Sequence, residues 1–285
     1  MAFFAIGEDD SVSAWDAEQG GAYWCLECLA PVKVRRGKNR FPHFYHLSSS
    51  PSCRLYSKSE DHLLLQLQLQ KQLPEGNTRM EQPIPSINRV SDLLWEKEKI
   101  AFEIQCSAIG EAEAQARGRE YKTAGYDVVW ILDDRIFNKR QLRPSEEFLR
   151  CRLCYFASFR RSAFSLFYDQ FEIFQDHRRI KKGGKVPVDF RNVHPLLPHR
   201  WPAELPSQIE KRIPNCSRYF DGDLLHRALL SPCVPSLARS LQNWRYLEIQ
   251  LRKENEKTGV WKRFFHRWVY DPYAALLSAL LRRMN

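Results

Sequence analysis

Residues Arg89–Cys106 constrain the fold of this 285-residue chain more than any other segment. Two runs, Arg89–Trp95 and Ile100–Cys106, flank the charged tetrapeptide Glu96–Lys99, the pattern of two strands joined by a tight turn. Centring the turn between residues 97 and 98 sets Asp92 across from Glu103 and Val90 across from Gln105. Opposed residues project from one face of a hairpin, with Cβ atoms about 4.5–5.5 Å apart. The other face carries Leu93, Trp95, Phe102, Ile104 and Cys106, an apolar set ready for a core.

The flanking sequence supplies matching elements. Ser59 is a good N-cap for a helix over Glu60–Leu73, which has Glu60 and Asp61 in its first turn and is stopped by Pro74 and Gly76. A strand over Thr78–Ile84 precedes the hairpin. A helix from about Ile109 to Ala124 follows it, with Gly125 as the C′ residue, and then a buried strand over Tyr126–Leu132. The order α-β-β-β-α-β thus covers residues 59–133. Residues 1–58 form short strands and turns. Residues 145–175 have a helical, aromatic pattern, 183–216 a proline-rich connection, and 222–283 a second helical region with a break near Pro232–Pro235. The expected division is 1–58, 59–140 and 141–285, an α+β or α/β core with a small β-rich module before it and a mainly helical basic domain after it.

Two opposed carboxylates repel, and a cation between them removes the conflict. Oxygen ligands at this spacing suit Mg²⁺ or Mn²⁺, which polarises a phosphoryl oxygen and activates water. The alternative is that Asp92 and Glu103 lie on the solvated face of a surface hairpin. Near the N-terminus, Cys25-x2-Cys28 and His43-x2-His46 form a C-x2-C-x14-H-x2-H pattern, with Cys53 close by as a substitute ligand. Thiolates and imidazoles in a tetrahedral set suit Zn²⁺, and a segment this small gains from such a staple. The alternative is core cysteines with surface histidines. Cys151, Cys154 and Cys106 fit core thiols.

Charge is unevenly distributed. Residues 1–150 hold 20 Lys/Arg against 22 Asp/Glu, whereas 151–285 hold 24 against 12. Leu29–Ser59 is an exception in the first half, with seven basic residues and no acidic one. Such surfaces suit a polyanion, DNA or RNA. Arg178, Arg179, Lys181 and Lys182, followed by Gly183, Gly184 and Lys185, look like a flexible loop for a phosphate backbone. An apolar helix near Tyr270–Leu281 is expected to dock on the core. No signal-peptide pattern and no apolar run near the roughly 18 residues of a span are visible. Eight cysteines, two pairs at CxxC spacing, fit a reducing compartment, so a cytoplasmic location is expected.

The hairpin and its flanking elements resemble the PD-(D/E)XK nuclease superfamily, the restriction-endonuclease-like fold. The resemblance implies that Asp92 is the motif aspartate and that Glu103, Ile104 and Gln105 are the E-x-K element, with Gln105 in the last place. It also implies a further acid, Glu60 on the preceding helix or Glu81 on the first strand. Gln105 cannot carry the charge of a lysine; it can orient water or a phosphate oxygen. Over roughly residues 23–133 the chain resembles the CoiA family of bacterial competence proteins, through CLEC (Cys25–Cys28), HFYH (His43–His46), SEDH (Ser59–His62), RVSDL (Arg89–Leu93), EIQCS (Glu103–Ser107), Arg117 with Tyr121, and YDVVWIL (Tyr126–Leu132). That family implies a nuclease-like protein acting on incoming DNA in natural transformation, with single-stranded or branched DNA as substrate and the recombination machinery as a candidate partner. Arg117 and Tyr121 share a helix face at i, i+4, where the guanidinium either contacts a phosphate or stacks in solvent on Tyr121. Three functions follow as candidates: a Mg²⁺-dependent nuclease, a DNA-binding recombination mediator with little or no cleavage, and a zinc-stapled protein-interaction scaffold.

Overall fold

Residues 1–265, apart from 9, 39, 162, 163, 199 and 200, are described by the structure, a computed structural model. The N-terminal region folds into a five-stranded antiparallel sheet in the order β2-β1-β3-β4-β5. Its strands are β1 (Phe4–Ile6), β2 (Ser11–Ser13), β3 (Tyr23–Trp24), β4 (Pro31–Gly37) and β5 (Arg40–His46). Ala5, Tyr23, Val32, Phe44 and Leu55 form its own small core.

The second and larger unit is a seven-stranded mixed sheet. Helix α1 (Glu60–Gln70) begins at Ser59, whose side chain accepts from the His62 N–H, and leads into β6 (Thr78–Ile84). Next come β7 (Arg89–Trp95), β8 (Ile100–Gln105), α2 (Glu111–Thr123) and β9 (Asp127–Asp133). Gly125, at φ +81°, ends α2 in the left-handed conformation that glycine adopts without strain. The order α-β-β-β-α-β is therefore present. In the hairpin Leu93 pairs with Phe102 and Trp95 with Ile100, the register expected from the turn.

Both faces of this sheet are covered. Leu65, Leu69 and Leu73 pack against Leu93, Trp95, Phe102 and Ile104 on one side. On the other, Leu94 and Ala101 lie beneath Tyr121 of α2. The acidic face of the hairpin is thus roofed by a helix, and Asp92 and Glu103 are 4 % and 5 % exposed rather than solvated.

Beyond β9 the chain departs from the expected helical domain. After α3 (Asp134–Phe137) and α4 (Pro144–Arg150), residues expected to be helical form β10 (Cys154–Ser158), β11 (Leu166–Asp169) and β12 (Glu172–Gln175), followed by β13 (Arg178–Lys182) and β14 (Val186–Pro187). β10 pairs in parallel with β9, and the sheet runs β14-β11-β10-β9-β8-β7-β6, so no boundary in the sheet falls at residue 140. The reason lies in burial. Strands covered on both faces lose the alternation that separates strand from helix, and short runs such as CYFAS and LFYD then fit either pattern. Cys154 is a core thiol as expected, on a strand instead of a helix. The remainder comprises β15 (Asp189–Pro195), α5 (Ser207–Arg212), β16 (Arg218–Asp221), α6 (Leu224–Leu230) and the long α7 (Pro235–Phe265). The apolar stretch Tyr270–Leu281 lies outside the described residues. Among the described residues no helix is long and apolar enough to cross a membrane.

Candidate functional site: a buried carboxylate centre beside a Cys3His cluster

The pairs Met80–Leu93 and Gln82–Ser91 set Glu81 of β6 across from Asp92 of β7, and the pair Leu93–Phe102, continued by one residue, brings Asp92 to Glu103 of β8. Three acids therefore form a row over adjacent strands, all buried. Each carboxylate oxygen of Asp92 and Glu103 has a protein donor. Asp92 Oδ1 lies 2.7 Å from Lys58 Nζ and 3.0 Å from His62 Nε2, and Oδ2 accepts the Ile104 N–H at 2.7 Å. Gln66 donates to the Asp92 carbonyl at 2.8 Å. Glu103 accepts from the Tyr121 hydroxyl and, at 2.8 Å, from Arg117, which Glu113 holds from the other side at 2.7 Å.

Electrostatics separate the two acids. Burial alone would raise the Asp92 carboxyl, but His62 and Lys58 more than offset it and hold it well below the usual carboxylate range. Burial pushes Glu103 up; the Arg117 guanidinium opposes that rise and the Asp92 charge adds to it. The Lys58 ammonium is held above its ordinary value because the charges of Asp92 and Glu81 outweigh its burial. Asp92, Glu103, Gln105, Lys58, His62 and Arg117 all line one cleft of about 160 Å³.

The other expected site residues fall elsewhere. Glu60 begins α1 half-buried and does not line the cleft; two positions further on, the helix presents His62 to Asp92 instead. Glu81 spends Oε2 on the N–H groups of Phe3 and Phe4 at 2.7 and 3.0 Å, which ties the N-terminal sheet to the core. Tyr121 is 0 % exposed, so it holds Glu103 and has no surface for a nucleic acid. Arg179 is buried too, paired with Glu146 and, at 3.0 Å, with Glu172. The expected basic loop is the hairpin β12–β13, on which Arg178, Lys181 and Lys182 remain exposed. His62, which the sequence leaves open between a capping and a site residue, proves to be a partner of Asp92, and Lys58 is a site residue that the sequence does not single out. SEDH contains the histidine, but nothing local in the sequence marks the lysine before the N-cap as a partner for residue 92.

Around the N-terminal sheet, Cys25, Cys28, His46 and Cys53 gather with all four ligand atoms within 4.8 Å of one another. Cys25 and Cys53 sulfurs stand 3.7 Å apart and Cys28 Sγ lies 3.3 Å from His46 Nε2. A tetrahedron with metal–sulfur bonds of about 2.3 Å has edges of roughly 3.8 Å, so this set could hold zinc. Cys53 takes the place expected for His43. The two histidines lie three apart on a strand, so they point to opposite faces: His46 opposite Val32, His43 opposite Arg35. His43 turns inward, with Nδ1 2.8 Å from the Phe41 carbonyl and Nε2 without a hydrogen-bond partner. Glu27, between Cys25 and Cys28, accepts from the Leu55 N–H at 3.1 Å and from Arg54, which fixes the Cys53 turn. Glu27, Arg54 and Leu55 also line the carboxylate cleft, so the cluster's scaffold is one of its walls.

A mixed α+β protein with a large mixed sheet, a buried carboxylate centre and a Cys3His cluster is the class that this fold and site define. The family model described as competence protein CoiA, nuclease-like domain, matches residues 58–182, and that of the competence protein CoiA, N-terminal domain, matches residues 8–56. The two together span more than half of the chain, which belongs to the CoiA family; membership implies a role in competence. No curated protein and no solved structure matches the chain.

Proposed function

We propose that the chain is a divalent-metal-dependent nuclease acting on single-stranded or branched DNA during natural transformation, built on a restriction-endonuclease-like core. The observation that carries this reading is the convergence of Asp92, Glu103 and Gln105 in one cleft with a lysine against Asp92. The donor set fits Mg²⁺ or Mn²⁺: hard oxygen ligands on neighbouring strands, of which Asp92 Oδ2 and both Glu103 oxygens each have a lone pair beyond the one a protein donor uses, and an ammonium already in place as a cation beside Asp92. Bound by Asp92 and Glu103, such an ion supplies Lewis acidity and a water of lowered pKa. The chain's own residues do the positioning. His62 and Gln66 fix Asp92, Arg117 and Tyr121 fix Glu103, and the Gln105 amide, which lines the same cleft, would orient water or a phosphate oxygen.

The second reading, a recombination mediator that binds DNA without cutting it, is favoured by two observations. Asp92 already has two nitrogen partners, Lys58 and His62, and Gln105 stands where a lysine would. Incubating the protein with labelled single-stranded, duplex and branched DNA in Mg²⁺, Mn²⁺ or EDTA separates the two. Metal-dependent cleavage supports the nuclease, and retained binding without cleavage in any metal supports the mediator.

The Cys3His cluster is assigned to zinc on the same footing. Elemental analysis is expected to find about one zinc per chain. Cys53→Ser should lose the metal and His43→Ala should keep it; the reverse pattern would restore the Cys2His2 set read from the sequence.

For DNA binding the exposed cations of β13 are the candidates. The triple variant R178A/K181A/K182A should bind DNA more weakly. Its slope of log affinity against log salt should shrink by roughly 0.7 for each phosphate of a single strand that the variant no longer neutralises. An unchanged slope with the fold intact would place the DNA path elsewhere, with the basic strip of β4 next in line. Arg179 is left out of this variant because its two buried carboxylate partners make it a structural residue.

A further inference from the structure

Glu81, Asp92 and Glu103 lie at neighbouring positions on three adjacent strands, and buried acids so placed repel. Among the described residues, Lys58 is the one lysine or arginine in contact with Asp92. Its Nζ also lies 3.3 Å from Glu81 Oε1, so one ammonium bridges two members of the row. The lysine is held there by its chain on both sides. Ser59 caps α1 directly after it, Arg54 donates to the Asn88 carbonyl at 3.0 Å, and the Leu55 N–H bonds Glu27. The Lys58 side chain is 8 % exposed, so this is an internal cation and not a surface side chain resting on an acid.

We propose that Lys58 is the resident counter-ion of the carboxylate centre and competes with a divalent cation for Asp92. The inference rests on Asp92 being a metal ligand. Two cations at one carboxylate oxygen repel strongly in a buried site, so occupation of Asp92 by either weakens the other. Glu81 gives the displaced ammonium somewhere to go: its Oε1 already touches Nζ, while its Oε2 is fastened to the backbone of Phe3 and Phe4. Withdrawn from Asp92, Lys58 stays in the wall of the cleft that Gln105 also lines, and so keeps a positive charge in a site whose E-x-Q segment has none.

The test is Mn²⁺ binding by the full-length, zinc-loaded chain, read from the electron-spin signal of free Mn²⁺, in wild type, K58M, D92N and the double variant K58M/D92N. K58M is expected to bind Mn²⁺ at least about fivefold more tightly than wild type. That gain should vanish in the double variant. K58R, which keeps the charge, should stay near wild type, an outcome that a merely structural role would not produce. If K58M does not fold, K58Q, which keeps a donor for Glu81, replaces it. Equal Mn²⁺ affinity in wild type and K58M, with D92N weakened, overturns the competition and leaves the metal site standing. No Asp92-dependent Mn²⁺ binding in any variant overturns the metal site, and the competition with it.

Discussion

Arg150→Met is expected to cost about 3–5 kcal/mol of stability, because it strands charges that nothing else in the interior can satisfy. Arg150 is fully buried; it donates to Glu172 at 2.9 Å and to Asp169 at 3.0 Å and also bonds the Cys154 carbonyl. Asp169 is shared with Arg212, and Glu172 with Arg179, so three guanidiniums and three carboxylates, Glu146 included, form one internal chain joining α4, β11, β12, β13 and α5. Burial alone would raise the Asp169 carboxyl, and Arg212 and Arg150 together hold it below its ordinary value. Methionine fills a similar volume but removes one cation from a set that balances as it stands. A loss of this size lowers the melting temperature by roughly 10 °C for a domain of this length. Arg191→Ala, which removes an exposed pair with Asp189, should leave the melting temperature where it was. Thermal denaturation followed by circular dichroism measures both. Equal melting temperatures for Arg150→Met and wild type would mean that the network adds nothing to the fold.

That network also explains how the sequence misleads about charge. The excess of Lys/Arg over residues 151–285 reads as a basic surface, yet Arg179 and Arg212 spend their charges inside. Sequence counts charges without knowing which are internal, so the surplus overstates what is left for a polyanion. The hairpin was legible for the opposite reason. Its register depends only on the turn and the two-residue period, both local, and Leu93 opposite Phe102 follows from them. The helix start at Ser59 and the glycine after α2 are local signals of the same kind. The Cys/His cluster was legible in composition and not in detail, because HxxH puts both rings together on a helix but apart on a strand. The partners of Asp92 and Glu103 were the least legible. Lys58 reaches Asp92 from outside the hairpin altogether, and the roles of Arg117 and Tyr121 depend on how α2 settles over the sheet.

The second large effect concerns the centre itself. Asp92→Asn keeps the shape of the side chain while removing its charge, so it separates the chemistry from the fold. On the proposed function Asp92 is a charged metal ligand, and its loss is expected to remove several kcal/mol of transition-state stabilisation, a drop in cleavage rate of about 10³-fold. Tyr121→Phe acts one step out. It removes a donor from Glu103 without touching the cleft surface, and a drop of about 10- to 100-fold is expected. Both variants should retain DNA binding, because their positions are buried and the exposed cations are untouched.

The most direct measurement is single-turnover cleavage of end-labelled single-stranded and branched DNA by the zinc-loaded protein in Mg²⁺ and in Mn²⁺, with Asp92→Asn alongside. A metal-dependent nuclease centred on Asp92 should give cleavage that depends on added metal, stops in EDTA and falls about 10³-fold in Asp92→Asn at unchanged DNA affinity. DNA bound and left intact by the wild-type protein in both metals, or cleaved equally by Asp92→Asn, would contradict it.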